Sequence, residues 1–174
     1  MSTLKPKTSQ ESYTVNTEVV MPNDTNHIGN LFGGKLLQWM DITSAIAAQR
    51  HSKRVVVTAA INHVSFENPI KQNSVVTLEA KVSRAFTSSM EVYIDVFVEN
   101  PTTGEKTKCN EAIFTFVAID QNGAPLPVPP VVPETELEKK RYEGALRRRQ
   151  LSLILGGRMN PDDATELKAL FTQD

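Results

Sequence analysis

Apolar and polar residues follow two rhythms along this chain. Over residues 12–21, Val15, Val19 and Met21 stand among polar neighbours, which predicts a first strand that Pro22 stops. Residues 35–51 behave differently. Leu36, Leu37, Trp39, Met40, Ile42, Ala45, Ile46, Ala47 and Ala48 spread right round a wheel turned by about 100° per residue, as expected of a helix enclosed by other structure. Four strand-like stretches follow at 54–66, 74–86, 90–100 and 106–120, parted by turn signals at Asn68-Pro69, 87–89 and 100–104. Val76, Leu78, Ala80 and Val82 share one face, as do Met90, Val92, Ile94, Val96 and Val98. The last stretch contains AIFTFVAI, apolar on both faces, which suits the middle of a sheet.

After the Asn122-Gly123 turn, Pro125, Pro127, Pro129, Pro130 and Pro133 make a stiff extended connector. Residues 134–155 then read as a helix, acidic at its start and basic towards its end, closed by Gly156-Gly157. A short final helix is expected over 162–172, opened by Asn160-Pro161. Residues 1–11 carry no periodicity and are expected to be flexible. The predicted organisation is a flexible segment at 1–11, a body at 12–124, a connector at 125–133 and a C-terminal helical extension at 134–174. One antiparallel sheet wrapped around one long helix is the simplest packing for this α+β order.

Composition narrows the class. With 174 residues, 40% hydrophobic and 22% charged, the chain fits one globular domain able to bury a core. No apolar run approaches the roughly 18 residues needed to cross a bilayer, and the first residues lack the apolar core of a secretory signal, so a cytoplasmic protein is expected. A lone Cys109 forms neither an internal disulfide nor a zinc site and reads as core, and the three histidines do not fall at metal-ligand spacing. The net charge of −1 conceals a basic run: Lys139, Lys140, Arg141, Arg147, Arg148 and Arg149 against Glu143 give a local +5, leaving −6 elsewhere. Such a helix is either a polyanion footprint or a solvated or packing face.

The chemically informative stretch is residues 22–51, PNDTNHIGNLFGGKLLQWMDITSAIAAQRH. Gly33-Gly34 ahead of a helix leaves first-turn N–H groups unpaired and lets a ligand approach closely, an oxyanion site if the pair does more than form a tight turn. Asp41 projects from an otherwise apolar and small helix face beside Leu37, Ala45 and Ala48, where a carboxylate could serve as base or nucleophile unless it points to water. Asn26 is either a turn former or an amide that polarises a carbonyl or orients a water. His27 lacks an identifiable acid partner. His51 reads as closing the helix and His63 as a strand residue. No G-x-S-x-G nucleophile elbow is present.

This block, with Asn26 and Asp41 spaced by fifteen, the glycine pair and MD inside the helix, resembles the acyl-CoA thioesterases of the hotdog fold. The likeness covers roughly residues 12–150 and extends through the TSSMEV hairpin, the PPVVPET connector and the RRRQ helix. It is similar to single-hotdog bacterial hydrolases and tandem-domain cytosolic ones. The resemblance implies a hotdog fold, hydrolysis of fatty acyl-CoA to fatty acid and CoA, and a catalytic pair, Asn26 and Asp41, contributed by opposite protomers. It also implies an oxyanion site at Gly33 and Gly34, no metal or redox cofactor, and a homo-oligomer, a dimer as minimum and a hexamer built as a trimer of dimers as the expectation. Two positions depart from the pattern. Asn73-Ser74 stands where many relatives carry a Gly-Asp turn, and Ser65 precedes Phe66 where some have an acidic residue.

Two rival readings remain. An enoyl-CoA hydratase of this fold uses an acid/His pair on the central helix, which here has no His before His51. An acyl-CoA sensor of this fold carries a DNA-binding unit ahead of it, where only about eleven residues are seen here. A nucleic-acid partner has thin support, since the basic run lacks base-reading aromatics. A CoA substrate supplies another polyanion, for which Arg147, Arg148 and Arg149, with Thr87, Ser88 and Ser89, are the candidate ligands.

Overall fold

The computed structural model describes residues 4–171. In chain order its elements are β1 (Lys7–Thr8), β2 (Thr14–Val19), α1 (Gly33–Ser52), β3 (Val55–Phe66), β4 (Val75–Ala85), β5 (Ser89–Glu99), β6 (Lys106–Ile119), β7 (Val131–Val132), α2 (Glu136–Leu155) and α3 (Thr165–Lys168). Five strands form one antiparallel sheet in the order β2-β4-β5-β6-β3. The sheet curls around α1, and this is the hotdog architecture. β6 sits between β5 and β3, as its two apolar faces require.

The core is built from the faces that alternation marks. Val76, Leu78, Ala80 and Val82 of β4 and Met90, Val92, Ile94 and Val96 of β5 are fully buried, with Phe114 and Phe116 of β6 stacked at 6.1 Å between ring centroids. Against them lies the face of α1 that carries Leu36, Trp39, Met40, Ala47 and Ala48. The other flank of α1 is open: Ile42 and Ile46 are 50% and 38% exposed. Beside them β3 is an edge strand whose Val55, Val57 and Ile61 are also exposed. One chain therefore does not enclose its own helix, contrary to the expectation from the wheel.

β2 also departs from its pattern. It buries Thr14 and exposes Val15 and Val19, because the polar set faces α1 at this edge: Arg50 Nη1 donates to Tyr13 O at 2.7 Å and to Thr14 Oγ1 at 3.0 Å. Asn73 takes the left-handed conformation, with φ 66°, that lets Asn replace glycine in the turn before β4.

The expectation of a flexible segment over 1–11 is corrected for residues 7–11, while residues 1–3 lie outside the described residues. β1 pairs in parallel with β7 of the proline connector. Beyond β2, Ser9 Oγ donates to Val82 O and Ser12 Oγ accepts from Val82 N, both at 2.8 Å. Two buried hydroxyls thus replace the backbone partner that the edge of the sheet would otherwise lack. No apolar periodicity signals this, since the contacts are polar.

α2 begins with a capping box: Thr135 Oγ1 accepts from Glu138 N at 3.2 Å, and Glu138 Oε2 accepts from Thr135 N at 3.2 Å. Gly157, at φ 66°, helps end it. The final helix expected over 162–172 is shorter: a single 3-10 turn, Pro161–Asp163, leads into α3, and Thr172 lies outside the described residues. No helix among the described residues is long and apolar enough to cross a membrane.

Candidate active site

The loop before α1 is held by its own backbone. Asn26 N donates to Asn30 O at 2.8 Å, Leu31 N to Ile70 O at 2.6 Å and Phe32 N to Asp24 O at 2.8 Å. Within it, Asn26 Oδ1 accepts from the N–H groups of Ile28 and Asn30, both at 3.1 Å. This fixes the amide, leaving its Nδ2 donors without a partner among the described residues. Asn26 is therefore both a turn former and a free donor.

The start of α1 has no side-chain cap. Lys35 N and Leu36 N both donate to Phe32 O, at 2.9 and 3.1 Å, whereas the N–H groups of Gly33 and Gly34 find no acceptor among the described residues. Those two donors and the positive end of the helix dipole suit an oxygen that gains negative charge. Gly33 and Asn26 line one cavity of about 290 Å³ with Leu31, Leu36, Phe66 and Asn110. Gly34 faces a neighbouring hollow beside Phe32 and Lys35. A Cβ at position 34 would stand 2.8 Å from the Phe32 ring and force it to move.

Asp41 lies eight residues further along α1, about 12 Å along the axis from Gly33, and does not line the Asn26 cavity. It is half-buried, and its Oδ1 accepts a hydrogen bond from Thr58 Oγ1 at 2.7 Å. Thr58 stands on β3 where the register with β6 shifts. The bond anchors one carboxylate oxygen and leaves Oδ2 without a protein partner among the described residues. Sequence reasoning missed Thr58, whose hydroxyl reaches Asp41 only through the packing of β3 beside α1. Both residues flank the open apolar strip of Ile42, Ile46, Val55, Val57 and Ile61.

The three consecutive arginines have separate roles. Arg148 is bound to Glu91 by two parallel bonds, Nε to Oε2 at 2.9 Å and Nη2 to Oε1 at 2.7 Å, and Nη2 also donates to Arg141 O at 2.6 Å. The ion pair raises the Arg148 pKa despite burial. Gly144 makes room for this guanidinium, since a Cβ there would lie 2.5 Å from Nη1. Arg141 pairs with Asp95 at 2.8 Å and packs over the Tyr93 ring at 4.0 Å. Much of the basic run is thus neutralised by carboxylates of the sheet, and Arg148 belongs to the scaffold.

Arg149 differs. It packs over Phe86 at 4.3 Å, donates to Ser89 Oγ at 2.8 Å and lines a cavity of about 260 Å³ with Ser88, Ser89 and Arg158. Burial first, and the Arg158 cation second, lower its pKa, which marks two positive charges held close together. Arg158 was not legible as a site residue because only the turn after α2 brings it back. Thr87 is exposed, and its carbonyl accepts from Val128 N at 3.0 Å; Arg147 does not line the Arg149 cavity.

The histidines stand apart from the chemistry. His27 and His63 are exposed. His51 is fully buried, and its Nε2 donates to Pro129 O at 2.7 Å. Burial lowers its pKa, so it anchors the connector as a neutral ring instead of placing a charge on the helix end. Cys109 is core, its thiol donating to Val96 O at 3.4 Å, with burial raising its pKa. Among the described residues no three His, Cys, Asp or Glu side chains gather as a metal site.

Known proteins share this fold and much of this sequence. Residues 28–105 match the thioesterase superfamily model. The chain is 45% identical over 148 residues to an uncharacterized acyl-CoA thioester hydrolase of Bacillus subtilis, covering 85% of this chain and 86% of that protein. It is 36% identical to the cytosolic acyl coenzyme A thioester hydrolase of rat, of which it spans only 38%. A crystal structure of an apo-hexameric acyl-CoA thioesterase superposes with a TM-score of 0.81 at 41% identity, covering 84% of this chain and 94% of that one. A coenzyme A complex of a Staphylococcus aureus acyl-CoA hydrolase superposes with a TM-score of 0.85 at 32% identity, covering 98% and 99%. That enzyme has been crystallised with alanine in place of an Asn, an Asp and a Thr spaced as Asn26, Asp41 and Thr58 are here. Fold and relatives agree: the chain belongs to the acyl-CoA thioester hydrolases of the thioesterase superfamily.

Proposed function

We propose that this chain hydrolyses fatty acyl-CoA to a free fatty acid and CoA at a site completed by two protomers. Asn26 and Gly33 of one protomer, with Gly34 beside them, receive the thioester carbonyl oxygen. Asp41 of the other, held by its Thr58, acts on the carbonyl carbon through Oδ2. It either takes a proton from the attacking water, or attacks directly and forms an acyl-Asp41 anhydride that a water then hydrolyses to the fatty acid, restoring the carboxylate. Negative charge then develops on the carbonyl oxygen against the Gly33 N–H and the Asn26 amide, and collapse expels the CoA thiolate. An oxyanion donor is worth a factor of about 10²–10³ in rate, so the glycine site matters as much as the carboxylate.

The observation that carries this reading is the separation of the two halves. Asn26 and Gly33 share a cavity that Asp41 does not line, while Asp41 and Thr58 border an exposed apolar strip on α1 and the edge strand β3. An unpaired, apolar edge of this length is a template for pairing with another chain. A two-fold contact there would cover Ile42 and Ile46 and bring Asp41 to a second copy's Asn26. A hexameric relative supports an assembly of six subunits, which three such dimers would make. Arg149, Arg158, Ser88 and Ser89 supply cations and donors for CoA phosphates. The reading needs no metal or redox cofactor and places the protein in the cytoplasm, as the cytosolic relative supports.

The test is thiol release from acyl-CoA. Wild-type protein releases free CoA, and Asp41→Ala loses turnover while keeping its oligomeric state. Hydration of an enoyl-CoA, or tight acyl-CoA binding with no thiol released, overturns the assignment.

A further inference from the structure

The cavity that holds Asn26 and Gly33 contains a buried polar atom that neither the fold nor the proposed chemistry uses. Asn110, on β6, lines this cavity and is 2% exposed, yet its Oδ1 has no hydrogen-bond partner among the described residues. The orientation of the amide follows from its neighbour. Cys109 spends its only proton on Val96 O at 3.4 Å, so its sulfur presents a lone pair, and Asn110 Nδ2 donates to that sulfur at 3.4 Å. Oδ1 is left as a bare acceptor. A buried acceptor without a partner costs stability, and β6 could satisfy the same inward position with an apolar residue, as it does at Ala112 and Phe114.

We infer that Asn110 is a substrate-binding residue: its Oδ1 accepts a hydrogen bond from an N–H or O–H group of the thioester bound against Asn26 and Gly33. This inference rests on the hydrolase reading above. Because the cavity is small, about 290 Å³, the donor lies close to the thioester. Two groups of acyl-CoA chemistry qualify. One is a hydroxyl on the acyl chain near the carbonyl; the other is the amide N–H of the pantetheine arm near the sulfur. Asn26, Asn30 and Asn68 also line the cavity, beside Leu31, Leu36 and Ile70. Asn110 Oδ1 is the acceptor there that is both buried and unpartnered among the described residues, so it discriminates between a donor and a methylene.

The experiment compares kcat/KM for butyryl-CoA and 3-hydroxybutyryl-CoA in the wild type, Asn110→Leu and Asn110→Ser. Leu has a similar size and no acceptor; Ser keeps an acceptor in a smaller side chain. The inference expects Asn110→Leu to retain the wild-type Tm or exceed it while losing about tenfold or more in kcat/KM, since one hydrogen bond is worth about that factor. Asn110→Ser should lose less. If only the hydroxylated substrate suffers, the donor is the acyl hydroxyl. If both suffer equally, it is the pantetheine amide. Folded Asn110→Leu with both values within about twofold of wild type overturns the inference. If Asn110→Leu does not fold, Asn110→Ser decides: a lower kcat/KM at unchanged Tm supports it, and unchanged kinetics overturn it. Wild-type protein that cleaves neither thioester overturns the hydrolase reading and this inference together, whereas cleavage with unaffected variants overturns this inference alone.

Discussion

Replacing Arg148 by Met distinguishes a scaffold arginine from a ligand arginine. Glu91 is 3% exposed, and Arg148 provides both charged partners of its carboxylate, at 2.9 and 2.7 Å. In Arg148→Met the carboxylate keeps only the Ser83 hydroxyl, at 2.6 Å. Removing one member of a buried ion pair costs about 3–5 kcal/mol, because the other charge stays buried and uncompensated. In a chain of this size about 1 kcal/mol corresponds to roughly 2–4 °C, so Tm should fall by about 6–20 °C. The double variant Glu91→Gln with Arg148→Met should recover most of that loss, since it leaves no buried charge. Arg149→Met should instead change Tm little and raise KM for acyl-CoA more than for a thioester lacking the nucleotide, because Arg149 faces the Ser88–Arg158 cavity. Thermal and urea unfolding of the three variants, with KM for both substrates, gives the readout. Arg148→Met within about 1 kcal/mol of wild type would refute the scaffold role.

Two other outcomes follow from single contacts. Thr58→Val removes the hydrogen bond that holds Asp41 Oδ1; a bond to a charged group is worth about 1.5–3 kcal/mol, so kcat should drop about 10- to 100-fold with KM nearly unchanged. Steady-state kinetics on one acyl-CoA checks this, and an equal rise in KM would contradict it. His51 sets a pH dependence of stability. Its folded pKa is lowered, chiefly by burial, so above about pH 6.5 both states are neutral and it contributes no slope. As pH falls below that value, the unfolded chain binds a proton that the folded one refuses, and stability drops by up to about 1.4 kcal/mol per pH unit until the folded pKa is reached. Urea unfolding from pH 7.5 to 5 should show that slope in the wild type and a shallower one in His51→Gln, which still offers a donor to Pro129 O.

What the sequence disclosed and what it concealed divide along physical lines. The inward faces of β4, β5 and β6 follow from period-two alternation, and the uncapped start of α1 follows from Gly33-Gly34, because both are local. Asn73 in a left-handed turn is local too. Thr58, Arg158 and Asn110 were missed because each acquires its meaning from a residue or cavity distant in sequence. The same holds for Ser9 and Ser12, whose hydroxyls complete the sheet at Val82 from a segment with no periodicity. The basic run was visible as charge. Its division into arginines held by carboxylates and an Arg149 that lines a cavity was not, since that depends on Glu91 and Asp95 facing α2 across the sheet. Likewise the wheel of α1 showed apolar residues all round, and only the fold shows that Ile42 and Ile46 lie on an open flank, the one the proposed two-fold contact would cover.

The central claim is that each site takes Asn26 from one protomer and Asp41 from its partner. Asn26→Ala and Asp41→Asn subunits, each inactive alone, are co-expressed in equal amounts and purified as mixed oligomers. In a two-fold mixed pair one site loses both residues and the other retains both, so random pairing predicts about one quarter of wild-type thiol release. Mixed oligomers of verified composition that stay as inactive as the parents would contradict the shared site.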